Sequence, residues 1–454
     1  MSSYETAVAR IYALGHELAQ ALSQKFDLAH MRVLLGALDH PERGFPGVLV
    51  AGTNGKGSTA ATLASILRAA GLRTALYTSP HLMRINERVQ IATDRSAFQQ
   101  ISDEEFALLH DLVDRHAERL VSEGELPWHP SFFEMLTAIA FEHFARRKVD
   151  IAVIEVGMGG RLDATNVIEP LVSVITDVSL DHQKFLGETV AEIAGEKAGI
   201  IRPNGVVVTL PQQPQANDVI GRTIMDLGAR AVSAVPYVPP ISPASAPYVT
   251  PGLETAVSRY PLQVLGKEIL VESPLLGRHQ LRNVALAIAA AEELARQGFL
   301  VTAASIERGI RETRWPGRFH VIPAANGKPE YVFDVAHNPA GAWALRSTLS
   351  ANYAERPLTF VFGAMRDKAI REMAEILFPV ADRVILTQAD NPRSATVPEI
   401  REAASRVSIE IEDADNMADA LTMAKSSARA GAVVVITGSI YIVGEAMRLL
   451  GVRI

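Results

Sequence analysis

The stretch VLVAGTNGKGST, residues 48–59, combines residue types that bind phosphate. Its three glycines permit tight turns and close backbone approach, and they stand between an apolar run and a helix-like segment. A helix that begins after such a turn presents free N–H groups and the positive end of its dipole to an anion. Lys56 would neutralise phosphate oxygens, and the hydroxyl of Ser58 or Thr59 could reach a magnesium ion.

The spacing differs from the usual phosphate loop, G-x-x-x-x-G-K-[ST], because Gly57 separates Lys56 from Ser58. Two interpretations follow: a glycine-rich turn with a solvated lysine, or a working loop with its own spacing. The flanks favour the working loop. Val48–Ala51 is a short apolar run typical of a buried strand, and the residues from Ser58 onward predict a helix.

Polar side chains also follow the other predicted strands of this region. Ser79 comes after TALYT, Glu155 ends IAVIE, and Asp181 and His182 follow VITDVSL. Because ligands collect outside the carboxyl ends of strands in open parallel sheets, we expect these groups to converge near the glycine loop. Carboxylate and hydroxyl oxygens suit magnesium, whereas a histidine ligand would be unusual.

Each of these residues also has a purely structural alternative. Glu155 could form a salt bridge with Arg161, and His182 could be a core histidine with satisfied nitrogens. Ser79 could cap a helix, since a proline follows it. Only the convergence of these groups at one edge of a sheet favours the functional interpretation.

Lys197 stands among small and apolar residues in TVAEIAGEKAGII. One interpretation is an ion pair with Glu196 or a side chain that reaches solvent. The other is a desolvated lysine, which would have a lowered pKa and a nucleophilic neutral amine.

These residues depend on an alternation of strands and helices that predicts an α/β fold. In the first two thirds of the chain, apolar strand candidates occupy residues 48–51, 74–80, 149–157, 171–179 and 205–209. Helices are predicted over residues 102–122, 131–147 and 277–298. The pattern indicates a P-loop ATPase-like domain whose mainly parallel sheet is covered on both faces.

A second alternating series predicts a smaller, Rossmann-like α/β domain at the C-terminal end, with strands over 330–337, 358–364, 383–389 and 432–440. The dipeptide Pro316-Gly317 marks a turn between the series, so we predict domains over residues 1–314 and 315–454. Residues 211–262 include a run rich in Pro, Ser and Ala, and we expect a loop or an irregular surface excursion there.

The composition excludes several functional classes. The chain has 454 residues, 48% of them hydrophobic, so it can bury a sizeable core. A net charge of -7 gives no electrostatic reason to expect nucleic acid as the main partner. The absence of cysteine excludes disulfides, thiol catalysis and cysteine-ligated zinc. No signal-peptide or membrane-spanning pattern is evident, so we expect a cytoplasmic protein without a membrane partner.

Taken together, the motifs resemble those of folylpolyglutamate synthases and of bifunctional dihydrofolate synthase/folylpolyglutamate synthases, in the Mur ligase superfamily. In chain order they are GTNGKGS (52–58), SPHL (79–82) with ERV (87–89), FFEMLTAIAF (132–141), EVGMGGRLDATN (155–166), DHQKFLG (181–187), IAGEKAGI (193–200), WPGR (315–318) and DVAHNP (334–339). The resemblance runs from about residue 27 to residue 444, and it identifies GTNGKGS as the superfamily's form of the phosphate loop.

The resemblance implies an ATP-dependent ligase. A pterin-bearing carboxylate would take the γ-phosphoryl group of ATP, and the amine of L-glutamate would displace phosphate from the acyl phosphate. The implied substrates are dihydropteroate, reduced folates and L-glutamate. The implied cofactors are ATP and Mg²⁺, with two magnesium ions, and K⁺ is a further cation to be tested. We expect a monomer.

The same resemblance assigns residues to each part of the reaction. Those implied to bind ATP are Asn54, Gly55, Lys56, Gly57, Ser58, Asn283, Arg318 and Asp334. Those implied to hold magnesium are Ser79, Glu155 and His182. The catalytic residues would be Lys56, His182 and Lys197, the last as a carbamate. Those implied to contact the pterin or folate are Asp27, Leu28, Ala29, His30, Phe133, Leu162, Asp163 and Ala164, and those for glutamate are His337, Ser439 and Tyr441.

Three other classes of protein are alternatives to a bifunctional synthase. A monofunctional folylpolyglutamate synthase would share all of these motifs. A peptidoglycan-type Mur ligase would need a uridine-nucleotide domain, for which the chain offers no obvious N-terminal counterpart. A P-loop switch protein would lack the second domain and the WPGR junction. The sequence also departs from the family at Val335, where glycine is frequent, and at Phe319-His320, where an acidic residue is common.

Overall fold

The computed structural model describes residues 3–15, 27–93, 96–240, 257–325, 328–426 and 431–454. Its larger sheet is built from eight strands of the N-terminal region: β1 (Gly47–Ala51), β2 (Thr74–Tyr77), β3 (Val89–Ala92), β4 (Gln99–Gln100), β5 (Ile151–Glu155), β6 (Pro170–Ile175), β7 (Val206–Thr209) and β8 (Arg230–Ser233). The spatial order is β4-β3-β2-β5-β1-β6-β7-β8, and only β3 and β4 pair antiparallel with their neighbours.

Helices cover both faces of this sheet. The helices that precede residue 230 are α1 (Tyr4–Ala13), α2 (Leu28–Ala37), α3 (Lys56–Ala69), α4 (Asp103–Ser122), α5 (Phe132–Arg146), α6 (Gln183–Leu186), α7 (Val190–Ala198) and α8 (Pro214–Asp226). β1 lies at the centre of the sheet and is fully buried, which suits its run of apolar residues. α3 leaves β1 through the glycine loop and is itself buried along almost its whole length.

A hairpin and two helices complete this part of the molecule. They are β9 (Ser258–Val264), β10 (Lys267–Ser273), α9 (Arg278–Arg296) and α10 (Ala303–Arg311). Both helices pack against α3, and the approach of α10 is very close, since a Cβ atom added at Gly309 would lie 2.3 Å from the Cα atom of Ile66. Burial of α3 between the sheet and these helices fixes the direction of its N-terminus.

The smaller sheet has six strands: β11 (His320–Ile322), β12 (Glu330–Phe333), β13 (Leu358–Phe362), β14 (Arg383–Leu386), β15 (Ile411–Asp413) and β16 (Val433–Thr437). Its order is β11-β12-β16-β13-β14-β15, parallel except for β11. The helices around it are α11 (Pro339–Asn352), α12 (Ile370–Leu377), α13 (Val397–Ala403), α14 (Met417–Ser426) and α15 (Ile440–Leu449).

The predicted two-domain α/β fold is confirmed, and the predicted core strands lie where the sequence indicated. The division at residues 314 and 315 stays a prediction. α3 begins at Lys56, two residues earlier than Ser58.

The expectation of a loop over residues 211–262 is wrong for much of that segment, which contains α8, β8 and most of β9. α8 begins with a proline, Pro214, at its first position, and β8 extends the sheet beside β7. Of the Pro-rich run near 235–251, residues 241–251 lie outside the described residues. No helix in the described part of the chain is both long and apolar enough to cross a membrane.

Candidate active site

A cavity of about 840 Å³ lies between the two sheets and is lined by residues from both domains. It brings together nearly all of the site residues that the sequence predicted. The phosphate-loop residues, the proposed magnesium ligands, Lys197, the predicted glutamate residues and all but one of the predicted pterin residues contribute to its wall. Leu28 is the exception: its side chain is buried at the start of α2, and it is not among the described residues that line the cavity.

The phosphate loop is shaped for an anion. Gly55 precedes α3 with φ of 89°, in the left-handed region, and no side chain caps the helix, so the first N–H groups of α3 remain available. A Cβ atom at Gly55 would lie 2.2 Å from the Oδ1 atom of Asn283, and this crowding requires glycine. Lys56 Nζ donates to the carbonyl oxygens of Gly52 (3.1 Å) and Thr53 (3.2 Å), so the cation is held over the loop.

Trp315 of the WPGR junction closes the loop from the side of the second domain. A Cβ atom at Gly57 would lie 2.7 Å from the Trp315 ring, so the ring rests on the glycine backbone. The sequence motif indicated that this junction was important, but it did not indicate that the tryptophan contacts the phosphate loop.

Ser79 and His182 follow β2 and β6, and Glu155 is the last residue of β5. β5 and β6 flank β1 and β2 lies beside β5, so the predicted convergence at the carboxyl edge of the sheet is observed. The Oγ atom of Ser79 and the Nδ1 atom of His182 are buried and lack a hydrogen-bond partner among the described residues. Glu155 accepts a hydrogen bond from the Ser79 backbone N–H (3.1 Å). Within the described residues Arg161 pairs with Glu196 (2.7 Å), and not with Glu155.

The protonation states of these groups follow from burial. Burial, together with the charge of Lys368, lowers the pKa of His182 to about 3, so the imidazole is neutral and can donate an electron pair. Burial raises the pKa of Glu155, while the charge of Lys56 and the Ser79 amide act in the opposite direction. The site thus presents the carboxylate of Glu155 and two atoms without a hydrogen-bond partner among the described residues, Ser79 Oγ and His182 Nδ1, each of which can donate an electron pair to a metal.

These three side chains fit a magnesium ion whose remaining coordination positions are filled by other oxygens. No group of three or more His, Asp or Glu residues in the described part of the chain could hold a metal unaided. Magnesium is commonly bound by one or two carboxylates together with substrate phosphates and water, which matches a set of one carboxylate, one hydroxyl and one imidazole beside a phosphate loop.

Lys197 is buried, with 3% of its surface exposed, and its Nζ atom donates to the Gly52 carbonyl oxygen at 2.8 Å. Burial, together with the neighbouring charge of Lys56, lowers its pKa to about 7. The alternative interpretation, an ion pair with Glu196 or a solvated amine, is therefore wrong. The amine lies directly beside the phosphate loop.

A polar cluster that the sequence did not predict joins the two domains at Asp181. Its Oδ1 atom accepts hydrogen bonds from Lys368 Nζ (2.6 Å) and from the backbone N–H of His182 (2.8 Å). Its Oδ2 atom accepts one from Asn338 Nδ2 (3.2 Å). Burial alone would raise the pKa of Asp181, but the His337 hydrogen bond and the charge of Lys368 bring it below its ordinary value.

Asn338 caps α11, because its Oδ1 atom accepts from the backbone N–H of Gly341 at the start of that helix. Its Nδ2 atom also donates to the Oδ1 atom of Asn54 in the phosphate loop (3.0 Å). No sequence pattern signals such a contact between residues far apart in the chain, because it depends on how the domains pack.

Arg318 and Asp334 line the cavity from the second domain. Both carboxylate oxygens of Asp334 accept backbone N–H groups, from Phe319 and from Ala336 (both 2.9 Å). Burial raises the pKa of Asp334, and the charge of Arg318 opposes this effect. The carboxylate is thus fixed in position by the backbone, and each oxygen keeps a lone pair for a ligand.

One end of the cavity is apolar and aromatic. The Phe133 ring packs on Gly157, where an added Cβ atom would lie 2.5 Å from the ring. His30 lies between Glu134 (3.0 Å) and the carbonyl oxygen of Trp128 (3.1 Å), and its ring stacks on the Trp128 ring. The contribution of Trp128 was not predicted, since nothing in its neighbourhood forms a recognisable motif.

The other predicted residues at this end are fixed by local hydrogen bonds. Asp163 accepts from the backbone N–H groups of Thr165 (3.0 Å) and Met158 (2.8 Å), so its carboxylate shapes the loop that carries Leu162 and Ala164. Asp27 caps α2 by accepting from the Ala29 N–H (2.8 Å).

The residues predicted for glutamate lie on the second domain. Ser439 is buried and caps α15 by accepting from the Ile442 N–H (3.2 Å). The Nδ1 atom of His337 lies 2.9 Å from the Val335 carbonyl oxygen, which orients its ring toward Asp181. Lys368 and Arg393 are further cations of the second domain in the cavity wall.

Comparison with known proteins identifies two family models in this chain. Residues 131–291 match the Mur ligase middle domain, and residues 317–440 match the Mur ligase glutamate ligase domain. The chain is 34% identical over 427 residues to the dihydrofolate synthase/folylpolyglutamate synthase of Bacillus subtilis, covering 92% of this chain and 93% of that protein.

Solved structures are similar over nearly the whole length. The folylpolyglutamate synthase of Mycobacterium tuberculosis complexed with ADP and AMPPCP superposes with a TM-score of 0.85, at 33% identity and 99% coverage of both chains. A folylpolyglutamate synthase complex with AMPPCP and folate has a TM-score of 0.81, at 32% identity, covering 99% of this chain and all of that one.

Proposed function

Because the chain belongs to the dihydrofolate synthase/folylpolyglutamate synthase family of Mur ligases, we propose that it is an ATP-dependent ligase for L-glutamate. It adds glutamate to dihydropteroate, which forms dihydrofolate, and to reduced folates, which forms folylpolyglutamates. The observation that carries the proposal is the single cavity in which a phosphate loop, an apolar aromatic pocket and polar groups of a second domain meet.

The first step joins the substrate carboxylate to the γ-phosphoryl group of ATP. A carboxylate oxygen attacks the γ-phosphorus, the bond to the β-phosphate oxygen breaks, and ADP leaves. Phosphoryl transfer of this kind depends on positioning and charge neutralisation. Lys56 and the free N–H groups of α3 hold the phosphates, Asn283 contacts the nucleotide, Arg318 reaches the phosphates and Asp334 holds the ribose.

Magnesium, when bound, neutralises phosphate charge and helps to fix the leaving group. The residues that would hold it are Ser79, Glu155 and His182, which line the cavity. The Oγ atom of Ser79 and the Nδ1 atom of His182 are buried without a hydrogen-bond partner among the described residues. Lys197 would act as a carbamate. Its buried amine has a pKa of about 7, so a large neutral fraction can react with carbon dioxide, and the resulting anion would orient a second magnesium ion.

The second step forms the amide. The glutamate amine attacks the carbonyl carbon of the acyl phosphate, phosphate leaves, and the amine loses a proton. His337, Ser439 and Tyr441 line the cavity on the side from which glutamate would approach. The aromatic end, with Phe133 and His30, would receive the pterin ring, and Phe133 offers a face for stacking.

The substrate range is tested by glutamate-dependent release of ADP from ATP. We expect the purified protein to release ADP with dihydropteroate and also with tetrahydrofolate, because the residues proposed to contact the pterin belong to the bifunctional type. Activity on tetrahydrofolate alone would identify a monofunctional folylpolyglutamate synthase. Release with a uridine-linked peptidoglycan precursor, and not with either pterin, would contradict the proposal.

Four further features of the proposal await measurement. They are the division into domains at residues 314 and 315, a monomeric state, a cytoplasmic location and any requirement for K⁺. ATP binding between the domains follows from the position of Arg318 and Asp334 beyond the junction and of the phosphate loop before it.

A further inference from the structure

The motifs SPHL and ERV have no complete role in the reaction described above, although residues 79–88 run from the cavity to the domain interface. At one end, Ser79 lines the cavity and its backbone N–H donates to Glu155. At the other end, Leu82 and Met83 pack against the apolar core of the smaller sheet. The segment therefore contacts the catalytic centre and the second domain within five residues.

The contact with the second domain is unusually close. A Cβ atom added at Gly444, in the middle of α15, would lie 1.9 Å from the carbonyl oxygen of Leu82. A Cβ atom at Gly317 would lie 3.1 Å from a methyl carbon of the same leucine. α15 can approach the segment only because residue 444 lacks a side chain.

A buried carboxylate fixes the conformation of this segment. Glu87 is 9% exposed, and its two oxygens accept three successive backbone N–H groups, from Leu82 (2.7 Å), Met83 (2.8 Å) and Arg84 (2.5 Å). Hydrogen bonds from backbone amides to an ionised carboxylate are among the stronger ones in proteins. Loss of the carboxylate would leave three amides without their common acceptor.

His81 and Arg88 hold the segment from the other side. Arg88 Nε donates to His81 Nδ1 (2.9 Å), and the Nε2 atom of His81 lies 3.1 Å from the hydroxyl of Tyr12 on α1. Glu87 and this chain of contacts thus hold residues 79–84 against the first domain, while Leu82 and Met83 pack against the second domain.

We propose that residues 79–84 form an interdomain strap and that Glu87 is a positioning residue that makes this strap rigid. Because the strap is rigid, the packing of α15 against Leu82 determines where Ser79 lies in the cavity. This inference rests on the proposed function, because Ser79 is a proposed magnesium ligand there. The consequence is that the second domain influences phosphoryl transfer through Leu82 as well as through its own residues in the cavity.

The test is a double-mutant cycle on the turnover number. Glu87→Gln places an amide N–H₂ group among the three backbone N–H donors, and Gly444→Ala places a methyl group against the Leu82 carbonyl. Each variant is expected to lower kcat about tenfold or more, since displacement of a site by about 1 Å is sufficient for such a loss. Glu87 and Gly444 both contact Leu82, so we expect the double variant to lose no more than about twofold beyond the worse single variant.

Matched controls separate coupling from damage to the fold. Gly221→Ala changes a helical glycine of α8 where an added Cβ atom meets no described atom within 4 Å, and Glu104→Gln removes an exposed carboxylate from the first turn of α4. Both controls should retain parent activity. Alanine favours helix more than glycine does, so Gly444→Ala should unfold cooperatively and still be less active. Leu82→Ala replaces Glu87→Gln in the cycle if that variant does not fold.

The inference is overturned if either single variant keeps kcat within about twofold of the parent, or if the two losses multiply in the double variant. Failure of the proposed function is a separate result. In that case the parent protein itself would release no ADP in response to dihydropteroate and glutamate.

Discussion

Lys56→Ala and Glu155→Ala each abolish glutamate ligation while the protein stays folded. Lys56 Nζ lies over the phosphate loop, and its charge would neutralise oxygens of the transferring phosphoryl group. Glu155 is the only carboxylate among the three proposed magnesium ligands. Removal of one group that stabilises charge in a transition state costs about 10²–10³-fold in kcat, and loss of the metal would add to this.

Stability is the measurement that distinguishes a catalytic from a structural effect in these variants. The side chain of Lys56 is only partly buried, so we expect its removal to shift the melting temperature by no more than about 4 °C. The matched controls are Lys267→Ala and Glu169→Ala, which remove exposed charges from residues that do not line the cavity. Near-normal turnover of Lys56→Ala or Glu155→Ala would contradict the assignment of this loop as the nucleotide site.

Lys197→Ala is nearly inactive, and a short carboxylate such as acetate or propionate partly restores its turnover. The reason is that Lys197 acts as an anion after carbamylation, and a small carboxylate can occupy the space that the side chain vacates. Lys197→Arg is inactive and is not rescued, because the guanidinium keeps a positive charge and fills that space. The measurement is steady-state ligation at increasing carboxylate concentration.

The pH dependence of the same group has a definite sign. Burial holds the pKa of Lys197 at about 7, so the amine becomes increasingly neutral as the pH rises through that value. Since carbon dioxide reacts with the neutral amine, reactivation of enzyme depleted of carbon dioxide should be faster at high pH than at low pH. An arginine variant as active as the parent would show that the lysine serves only as a cation.

The positions of the catalytic groups along the sheet were predictable because they depend on local rules. Parallel strands end at one edge, so a glycine loop after β1 and polar residues after β2, β5 and β6 had to converge. The capping role of Asn338 before a proline followed from its neighbours alone. In each case the information lies within a few residues of the side chain.

The contacts between the domains were not predictable, because they pair residues that are far apart in the chain. Lys368 donates a hydrogen bond to Asp181, Trp315 packs on Gly57, and Gly444 contacts the Leu82 carbonyl. No pattern in the sequence indicates any of these pairs. The error over residues 211–262 has a different cause. A composition rich in Pro and Ser near residue 240 was extended to neighbouring residues, where α8 has a clear amphipathic pattern of its own.

We expect the cavity to activate a pterin-bearing carboxylate as an acyl phosphate and to pass it to glutamate. Dihydropteroate labelled with ¹⁸O in its carboxylate tests this directly, with ATP, Mg²⁺ and L-glutamate present and the products analysed by mass spectrometry. One ¹⁸O atom should move to inorganic phosphate for each molecule of dihydrofolate formed, since the carboxylate oxygen that attacks the γ-phosphorus leaves with it. Unlabelled phosphate, or phosphate release that does not depend on both dihydropteroate and glutamate, would contradict it.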